Sequence, residues 1–305
     1  VVWRMVVQRY GTVLASLVAR IAIQGLGIFF PVYATWLVAL FVIGSETDIW
    51  VSIGVLVLLA LVKGLFRYLE QYLGHAVAFA FLARLRVRLF KTLSGSEWSA
   101  LQEKQTGDLV ARISDDIDRV EPLYAHTVAP LVSAVVVPLL ASVAAGLWIE
   151  AGLAWLIGSA AIAYLALVPW LGVATARRDA EAEREVAGAL SGNATEMIRG
   201  MTQLVSFGAV DRMLDRIESL DTARSRALWR GGRAGALRAG LGGLIAGGLM
   251  LGAAWPLHAA GAGGNLGVAQ LASGPVLAWV SLEPLRALDR GVPDAMRAVG
   301  ACRGL

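Results

Sequence analysis

Residues 239–282 read AGLGGLIAGGLMLGAAWPLHAAGAGGNLGVAQLASGPVLAWVSL and contain no aspartate, glutamate, lysine or arginine. The hydrocarbon core of a bilayer is about 30 Å thick and is crossed by roughly 20 helical residues. A charge-free stretch of this length therefore predicts two membrane-spanning helices, separated by a glycine-rich loop at 258–264. Four more apolar stretches precede it, so we predict six spans, at about 12–43, 49–81, 122–149, 151–176, 239–257 and 265–287.

The overall composition agrees with a membrane protein. Of the 305 residues, 57% are hydrophobic and 16% are charged, against about a quarter charged in a typical soluble domain. The net charge of +4 does not indicate a nucleic-acid-binding protein, because the basic residues lie mainly in the polar segments that separate the apolar runs. The single cysteine, Cys302, excludes an internal disulfide.

The distribution of basic residues predicts the orientation. The loops at 44–48, 150–151 and 258–264 contain no lysine or arginine, whereas 84–119 and 177–238 contain many. Cytoplasmic loops carry the excess of basic residues. We therefore predict a multi-pass protein of the cytoplasmic (inner) membrane with both termini in the cytoplasm.

The two inner segments, 82–121 and 177–238, are much longer than the outer loops. Both are polar and rich in helix-forming residues, and Met213, Ile217 and Leu220 recur at helical spacing in the second. Folded into two antiparallel halves, the second segment would extend about 45 Å from the membrane at 1.5 Å per residue. Such hairpins favour a transporter driven by a cytoplasmic motor over a channel or half of a secondary carrier.

The sequence provides no ATP-binding loop for that motor. A P-loop requires Gly-Lys, and the three lysines, Lys63, Lys91 and Lys104, follow valine, phenylalanine and glutamate. We therefore expect no ATPase activity from this chain, and a motor on a separate polypeptide or on a portion outside this sequence.

Three motifs occur at informative positions: QTGDLVARISDDIDRV at 105–120, E-x-x-x-G followed by Phe-Gly at 196–208, and LEPLRAL at 282–288. Together they resemble the transmembrane domain of ABC exporters, in the same order and spacing. The resemblance implies an all-α membrane protein with six transmembrane helices in the exporter arrangement and long cytoplasmic helical extensions. It further implies a homologous transmembrane half, as homo- or heterodimer, and an ABC nucleotide-binding domain, from the same gene or a separate one, that holds ATP and Mg.

In that family the hairpin tips dock on the nucleotide-binding domains as short helices. The residues that the resemblance assigns to this coupling are Gly107, Asp108, Arg112, Asp116, Glu196, Gly200 and Phe207. Glycines at 107 and 200 are expected to allow a tight backbone, and Phe207 to supply an apolar anchor. The alternative for the charged residues is a solvated helical face with pairs such as Asp108–Arg112.

Ionisable residues inside the predicted spans are costly and indicate function. Arg67, Glu70 and His75 lie in the second span, although Arg67 and Glu70 are also spaced to form a structural ion pair. We predict a polar cavity for an amphiphilic or zwitterionic solute, lined by Arg20, Gln24, Arg67, Glu70, His75, Tyr124 and His126. Glycines at 243, 247, 248 and 252 predict close packing of the fifth span.

The stretch RYLEQYLGH at 67–75 resembles the CydC half of CydDC thiol exporters, in which the matching histidine is associated with haem. That resemblance implies haem iron at His75 as a candidate cofactor site; otherwise we expect no metal. The alternative is a neutral histidine that hydrogen-bonds a neighbouring helix. Some similarity to mycobacterial siderophore ABC transporters leaves a siderophore- or haem-related transporter, or a non-transporting haem-binding or sensory scaffold, as alternative functions.

Overall fold

A computed structural model describes residues 10–94, 129–171, 173–264 and 266–288. Over these ranges the chain is helical and forms no strand, which confirms the predicted all-α class. The helices are α1 (Tyr10–Val42), α2 (Ile49–Ser94), α3 (Ala129–Trp148), α4 (Ala151–Leu167), α5 (Val173–Arg199), α6 (Met201–Ser206), α7 (Val210–Gly252), α8 (Ala254–Ala262) and α9 (Val268–Ser281).

Four described helical stretches are long and apolar enough to cross a membrane: Gly11–Val42, Ile49–Val77, Ala129–Trp148 and Val210–Ala262. Helix α4 is a shorter apolar helix of 17 residues. Helix α9, at the position predicted for the sixth span, has 14 residues, and helical backbone resumes over 283–288.

Small side chains are often buried between the helices, and many large apolar side chains are exposed, unlike in a soluble protein. Small residues such as Ala134, Ala278 and Ser273 are fully buried, whereas Leu147 and Trp155 are 85% and 81% exposed. Close approach of helices through small residues, with large apolar side chains directed outward, is the pattern that a lipid environment favours. The buried serines are satisfied locally, since Ser273 Oγ donates to the carbonyl of Ala269 at 2.8 Å.

Helices α1 and α2 form an antiparallel hairpin. The turn between them closes at Gly44, whose φ of +72° favours glycine, and Ser45 N–H donates to the carbonyl of Leu40 at 3.1 Å. Asp48 then begins α2 by accepting from the N–H of Trp50 at 2.8 Å. A carboxylate at a helix N-terminus stabilises both the unpaired N–H groups and the helix dipole.

Glu150 has the same role at the start of α4. Its Oε2 accepts from the N–H groups of Gly152 and Leu153. Acidic residues of two predicted outer loops therefore begin the helices that follow them.

Two boundaries differ from the prediction. The apolar run predicted to continue to residue 176 is interrupted, because α4 ends at Leu167 and a turn containing Pro169 precedes α5. Proline removes a backbone donor and disfavours helical continuation. The predicted loop at 258–264 is mostly helix, since α8 continues to Ala262 and the chain turns at Gly264, with φ of +74°.

Close packing of α7 uses a different glycine from those predicted. A Cβ at Gly242 would lie 2.7 Å from Tyr164 Oη, so the tyrosine ring packs directly on this backbone. At Gly243 and Gly248 a Cβ would meet nothing within 4 Å. Gly247 and Gly252 would make ordinary contacts with Trp279 and Leu156.

The chain divides into two compact units, of which the second comprises Leu167–Leu241. Within it, α5 and α7 are joined by ion pairs between Arg224 and Glu183 at 3.2 Å and between Arg230 and Asp179 at 3.4 Å. The 27 residues of α5 give a helix about 40 Å long. The first unit comprises Val1–Ala166 and Gly242–Leu305 and contains the α1–α2 hairpin.

Candidate solute cavity and coupling tip

A row of charged side chains lies between the otherwise apolar spans of α1 and α2, Gly11–Val42 and Ile49–Val77. Arg20 Nη1 and Glu70 Oε1 are 2.9 Å apart, and Glu70 is only 7% exposed. Arg67 Nη1 lies 3.5 Å from the second carboxylate oxygen, Glu70 Oε2. One buried carboxylate therefore contacts two guanidinium groups, one from each helix. The predicted Arg67–Glu70 pair is present, but its geometry is looser than that of the Arg20 pair.

Lys63 belongs to the same row, although the sequence did not assign it to the cavity. Its Nζ is 3.6 Å from the position that a Cβ would occupy at Gly27, an ordinary contact distance, so the ammonium group lies directly beside α1. The spans Gly11–Val42 and Ile49–Val77 thus carry three cationic groups and one carboxylate. Unbalanced charge at membrane depth is costly, which supports a functional role.

The contacts between the two helices keep a constant register. Ser16 lies opposite Gly74, Arg20 opposite Glu70, and Gly27 opposite Lys63. From Ser16 the contacts advance by four and then seven residues along α1. From Gly74 they go back by the same four and seven residues along α2, as an antiparallel pair requires. Positions four and seven residues apart share one helix face, so the charged row follows a single seam.

An apolar recess adjoins this row. It has a volume of about 480 Å³ and lies between α1, α3 and α9, with Phe29, Val137 and Leu277 among its lining residues. Gln24 is half-buried on α1, one turn after Arg20 and next to Gly25 of the recess. Polar and apolar surfaces therefore lie side by side along α1, as an amphiphilic solute requires.

His75 is half-buried on α2, and its ring is stacked on that of Phe79, with centroids 5.7 Å apart. Phe79 is 58% exposed, so the stack orients the imidazole without enclosing it, and this arrangement suits a haem ligand and a structural histidine equally. Arg67, the other residue of the resembling stretch, is 57% exposed while it contacts Glu70. Within the described ranges no three His, Cys, Asp or Glu side chains are grouped to hold a metal ion.

Several predicted residues lie outside the described ranges. They are Tyr124 and His126 of the cavity, and Gly107, Asp108, Arg112 and Asp116 of the first coupling segment. Their assignments remain predictions.

The short helix predicted at the second hairpin tip is present as α6, Met201–Ser206. The tip exposes large apolar side chains: Phe207 is 80% exposed, Ile198 is 76% exposed and Val205 is 64% exposed. Glu196 is also exposed, at the end of α5. An exposed apolar cluster of this kind in a polar segment is typical of an interaction surface.

The two tip glycines have different roles. Gly200 has ordinary angles, φ −96° and ψ 13°, but a Cβ there would lie 3.1 Å from the carbonyl oxygen of Glu196. Gly208 has φ +59°, which disfavours any side chain. The N–H groups of Gly208 and Ala209 donate to the carbonyls of Val205 and Leu204, at 3.1 and 2.8 Å, and so close α6. The conformational need for glycine predicted at position 200 is thus found at position 208.

The sequence family described as the ABC transporter transmembrane region matches residues 13–278. That range includes the charged hairpin, the apolar recess and the exposed tip. The chain belongs to this family. The ABC exporter-type fold predicted from the three motifs is thereby confirmed.

Curated relatives of this ABC transporter transmembrane region include ATP-binding/permease proteins. A probable ABC transporter ATP-binding/permease protein of Haemophilus influenzae is 35% identical over 179 residues, covering 56% of this chain and 32% of that protein. The glutathione/L-cysteine transport system ATP-binding/permease protein CydC of Escherichia coli is 24% identical over 155 residues, covering 51% of this chain and 27% of that protein. The alignments thus span about a third or less of these relatives.

Sequence reasoning missed two features of the site. The Arg20–Glu70 pair joins residues 50 positions apart, so no local spacing indicates it. Lys63 could have been assigned to the cavity from the seven-residue interval to Glu70, which places both on one face of the second span.

Proposed function

We propose that this ABC transporter transmembrane region is the permease half of an ATP-driven transporter that moves a small amphiphilic or thiol-type solute across the cytoplasmic membrane by alternating access. It works as a dimer with a homologous transmembrane half, and ABC nucleotide-binding domains bind ATP and Mg. Closure of those domains on ATP moves the coupling tips, and the cavity changes from inward to outward access.

The observation that carries this proposal is the exposed tip around α6. Phe207 is 80% exposed directly after the helix, with Val205 and Ile198 nearby in the chain. Aromatic anchors in the centre of an interface supply much of its binding energy. The names of the curated relatives, which join ATP-binding and permease functions in one protein, support an ABC nucleotide-binding domain as the partner.

The solute class is supported by the charged row and the recess beside it. Arg20, Lys63 and Arg67 offer cationic groups, and Glu70 offers a carboxylate, so a solute with both a carboxylate and an ammonium group finds complementary partners. Glutathione and L-cysteine, which the E. coli relative's name gives as its solutes, have both groups. In this proposal Arg67, the more exposed guanidinium, contacts the solute, and the Arg20–Glu70 pair holds the two helices.

The test combines the chain with an ABC nucleotide-binding domain, fused or co-expressed, in proteoliposomes. Phe207→Ala is expected to weaken association by about thirtyfold, equivalent to about 2 kcal/mol, and to uncouple ATP hydrolysis from solute movement. Leu228→Ala, which removes a 53%-exposed leucine in the middle of α7, is the matched control and should leave both unchanged. Equal association of wild type and Phe207→Ala would contradict the proposed contact.

Arg67→Gln tests the solute site separately. It is expected to raise the KM for a thiol-containing zwitterion more than tenfold while docking of the nucleotide-binding domain is retained. Unchanged transport in this variant would remove the charged row from the solute path.

A second candidate is a siderophore- or haem-related transporter, or a haem-binding or sensory scaffold that transports nothing. This candidate rests on the half-buried His75, which stacks on Phe79 and would ligate the haem iron. Solute-independent ATP hydrolysis together with a haem spectrum would favour this candidate over thiol transport.

A further inference from the structure

A recess of about 510 Å³ lies between α5 and α7, within the second compact unit. Its rim is basic: among the described residues that line it are Arg178, Arg230 and Arg233, with one carboxylate, Asp179. The proposed transport function uses none of these residues.

The charges of the recess are unbalanced. Arg230 Nε lies 3.4 Å from Asp179 Oδ1, so the one carboxylate has a partner. The other two arginines, Arg178 and Arg233, are exposed and bring two further positive charges to the same rim. Guanidinium groups present paired N–H donors that match a phosphate group.

The other lining residues of the recess are mainly apolar, and include Leu171, Leu237 and Leu241. The position of Leu171 is fixed by Arg238, which is only 2% exposed and whose Nη1 donates to the carbonyl of Leu171 at 3.2 Å. The recess therefore combines a cationic rim with an apolar wall held in place by a buried arginine.

The chain also places this recess at a membrane boundary. The uncharged stretches of the sequence end at residue 176 and begin again at residue 239, within a few residues of the lining. Trp170 and Trp229, which neighbour the lining residues in sequence, are 73% and 75% exposed. Tryptophan is enriched at the membrane–water interface, at the level of the lipid headgroups.

We infer that this recess binds the phosphate headgroup of an anionic phospholipid, with the arginines on the phosphate and the leucines against the upper part of the acyl chains. The predicted orientation places it on the cytoplasmic leaflet, where anionic lipids attract basic groups. The apolar wall favours a lipid over a soluble phosphate compound, which would leave that surface unused. The inference does not depend on the identity of the transported solute.

The test measures lipid retained by the purified chain in neutral detergent, by native mass spectrometry and thermal unfolding. Wild type is expected to retain phosphatidylglycerol in preference to phosphatidylcholine and to be stabilised by it. Arg230→Gln/Arg233→Gln should bind phosphatidylglycerol roughly tenfold to thirtyfold more weakly. Arg212→Gln/Arg216→Gln, which removes two exposed arginines near the start of α7, is the matched control and should bind as wild type does.

Three outcomes would overturn the inference. Equal retention of both lipids by wild type would show that no headgroup is recognised, and an equal loss in the control variant would reduce the effect to general charge attraction. Displacement of the lipid by glycerol phosphate, or by hexaglutamate as an acidic protein probe, would identify a soluble or protein ligand instead. Arg233→Gln alone keeps the Arg230–Asp179 pair and is the variant to use if the double variant unfolds.

Discussion

Arg20 Nη1 lies 2.9 Å from Glu70 Oε1, so that a buried carboxylate joins the first two membrane helices through residues 50 positions apart. The side chains are 16% and 8% exposed. Removing one partner of such a pair leaves a charge without its counter-charge in a medium of low dielectric constant. The pair therefore fixes the register of the α1–α2 hairpin.

Glu70→Gln is expected to destabilise the chain by about 3 kcal/mol, because the Arg20 guanidinium keeps its charge and loses its carboxylate. The double variant Arg20→Gln/Glu70→Gln should recover most of that loss, since neither charge remains. Thermal or denaturant unfolding in detergent of Arg20→Gln, Glu70→Gln and the double variant gives the coupling free energy of the pair.

Arg67→Gln is the control for this cycle. Its guanidinium is 57% exposed and 3.5 Å from Glu70, so its removal should cost less than about 1 kcal/mol. If the losses of stability in Arg20→Gln and Glu70→Gln simply add in the double variant, the Arg20–Glu70 contact does not stabilise the hairpin.

Gly242→Ala should destabilise the chain by about 1 to 3 kcal/mol through overpacking. Its Cβ would lie 2.7 Å from Tyr164 Oη and 3.0 Å from Cε2, and Tyr164 is only 1% exposed, so the ring has little room to move. Gly243→Ala, the next residue of the same helix, meets open space and should be neutral or stabilising by up to about 1 kcal/mol. If Gly242→Ala and Gly243→Ala changed the stability in the same direction, the contact with Tyr164 would not determine the effect at position 242.

The sequence predicted the membrane class and the transporter family because those depend on the length of apolar runs and on local motifs. It also predicted that α6 would be a short helix at the tip, since the motif around Gly200 and Phe207 is local. It could not predict which glycine of α7 faces a neighbour, because GxxxG spacing marks a possible face without naming the opposite side chain. Gly242, rather than Gly243, is the closely packed position because Tyr164 lies opposite it.

In the candidate site, too, the contact within one helix could be predicted from the sequence and the contact between helices could not. Arg67 and Glu70 share one helix, and their spacing predicted their contact. The stronger partner of Glu70 comes from α1, and that pairing requires the register of the whole hairpin. The recess between α5 and α7 also depends on pairing of distant segments, since Asp179 and Arg230 are brought together only by the folded helices.

Gly208→Ala is expected to cost about 1 to 2 kcal/mol, because the backbone at φ +59° places a Cβ against the following carbonyl oxygen. Gly192→Ala in α5, where a Cβ meets open space on a helix, should instead stabilise by up to about 1 kcal/mol. Thermal unfolding compares the stability of the two variants.

Limited proteolysis at the tip adds a local readout, since loss of the hydrogen bonds that close α6 should speed cleavage between α6 and α7. Tip cleavage at the wild-type rate in Gly208→Ala would mean that the glycine is not needed to close the helix.

The predicted orientation can be tested at two exposed positions. In a Cys302→Ser background, Glu46→Cys should be labelled by an impermeant maleimide on intact cells, because its loop has no basic residues and is predicted to lie outside. Ser206→Cys at the tip should be labelled only after permeabilisation. Both positions are exposed in the structure, so a difference in labelling reports sidedness rather than burial. Labelling of Ser206→Cys from outside would reverse the orientation.

The last prediction concerns His75, the intramembrane histidine stacked on Phe79 with ring centroids 5.7 Å apart. If its imidazole ligates haem iron, protein purified from haem-supplemented cells should show a Soret band that is lost in His75→Ala. Phe79→Leu should weaken or shift that band, because the stack orients the imidazole.

His258→Ala, which removes an exposed histidine on α8, controls for surface association of haem and should leave the band unchanged. If the histidine is structural, His75→Ala costs only about 1 kcal/mol of stability, and the wild-type spectrum has no band to lose. A band of equal intensity in wild type and His75→Ala would place the haem elsewhere and exclude this residue as its ligand.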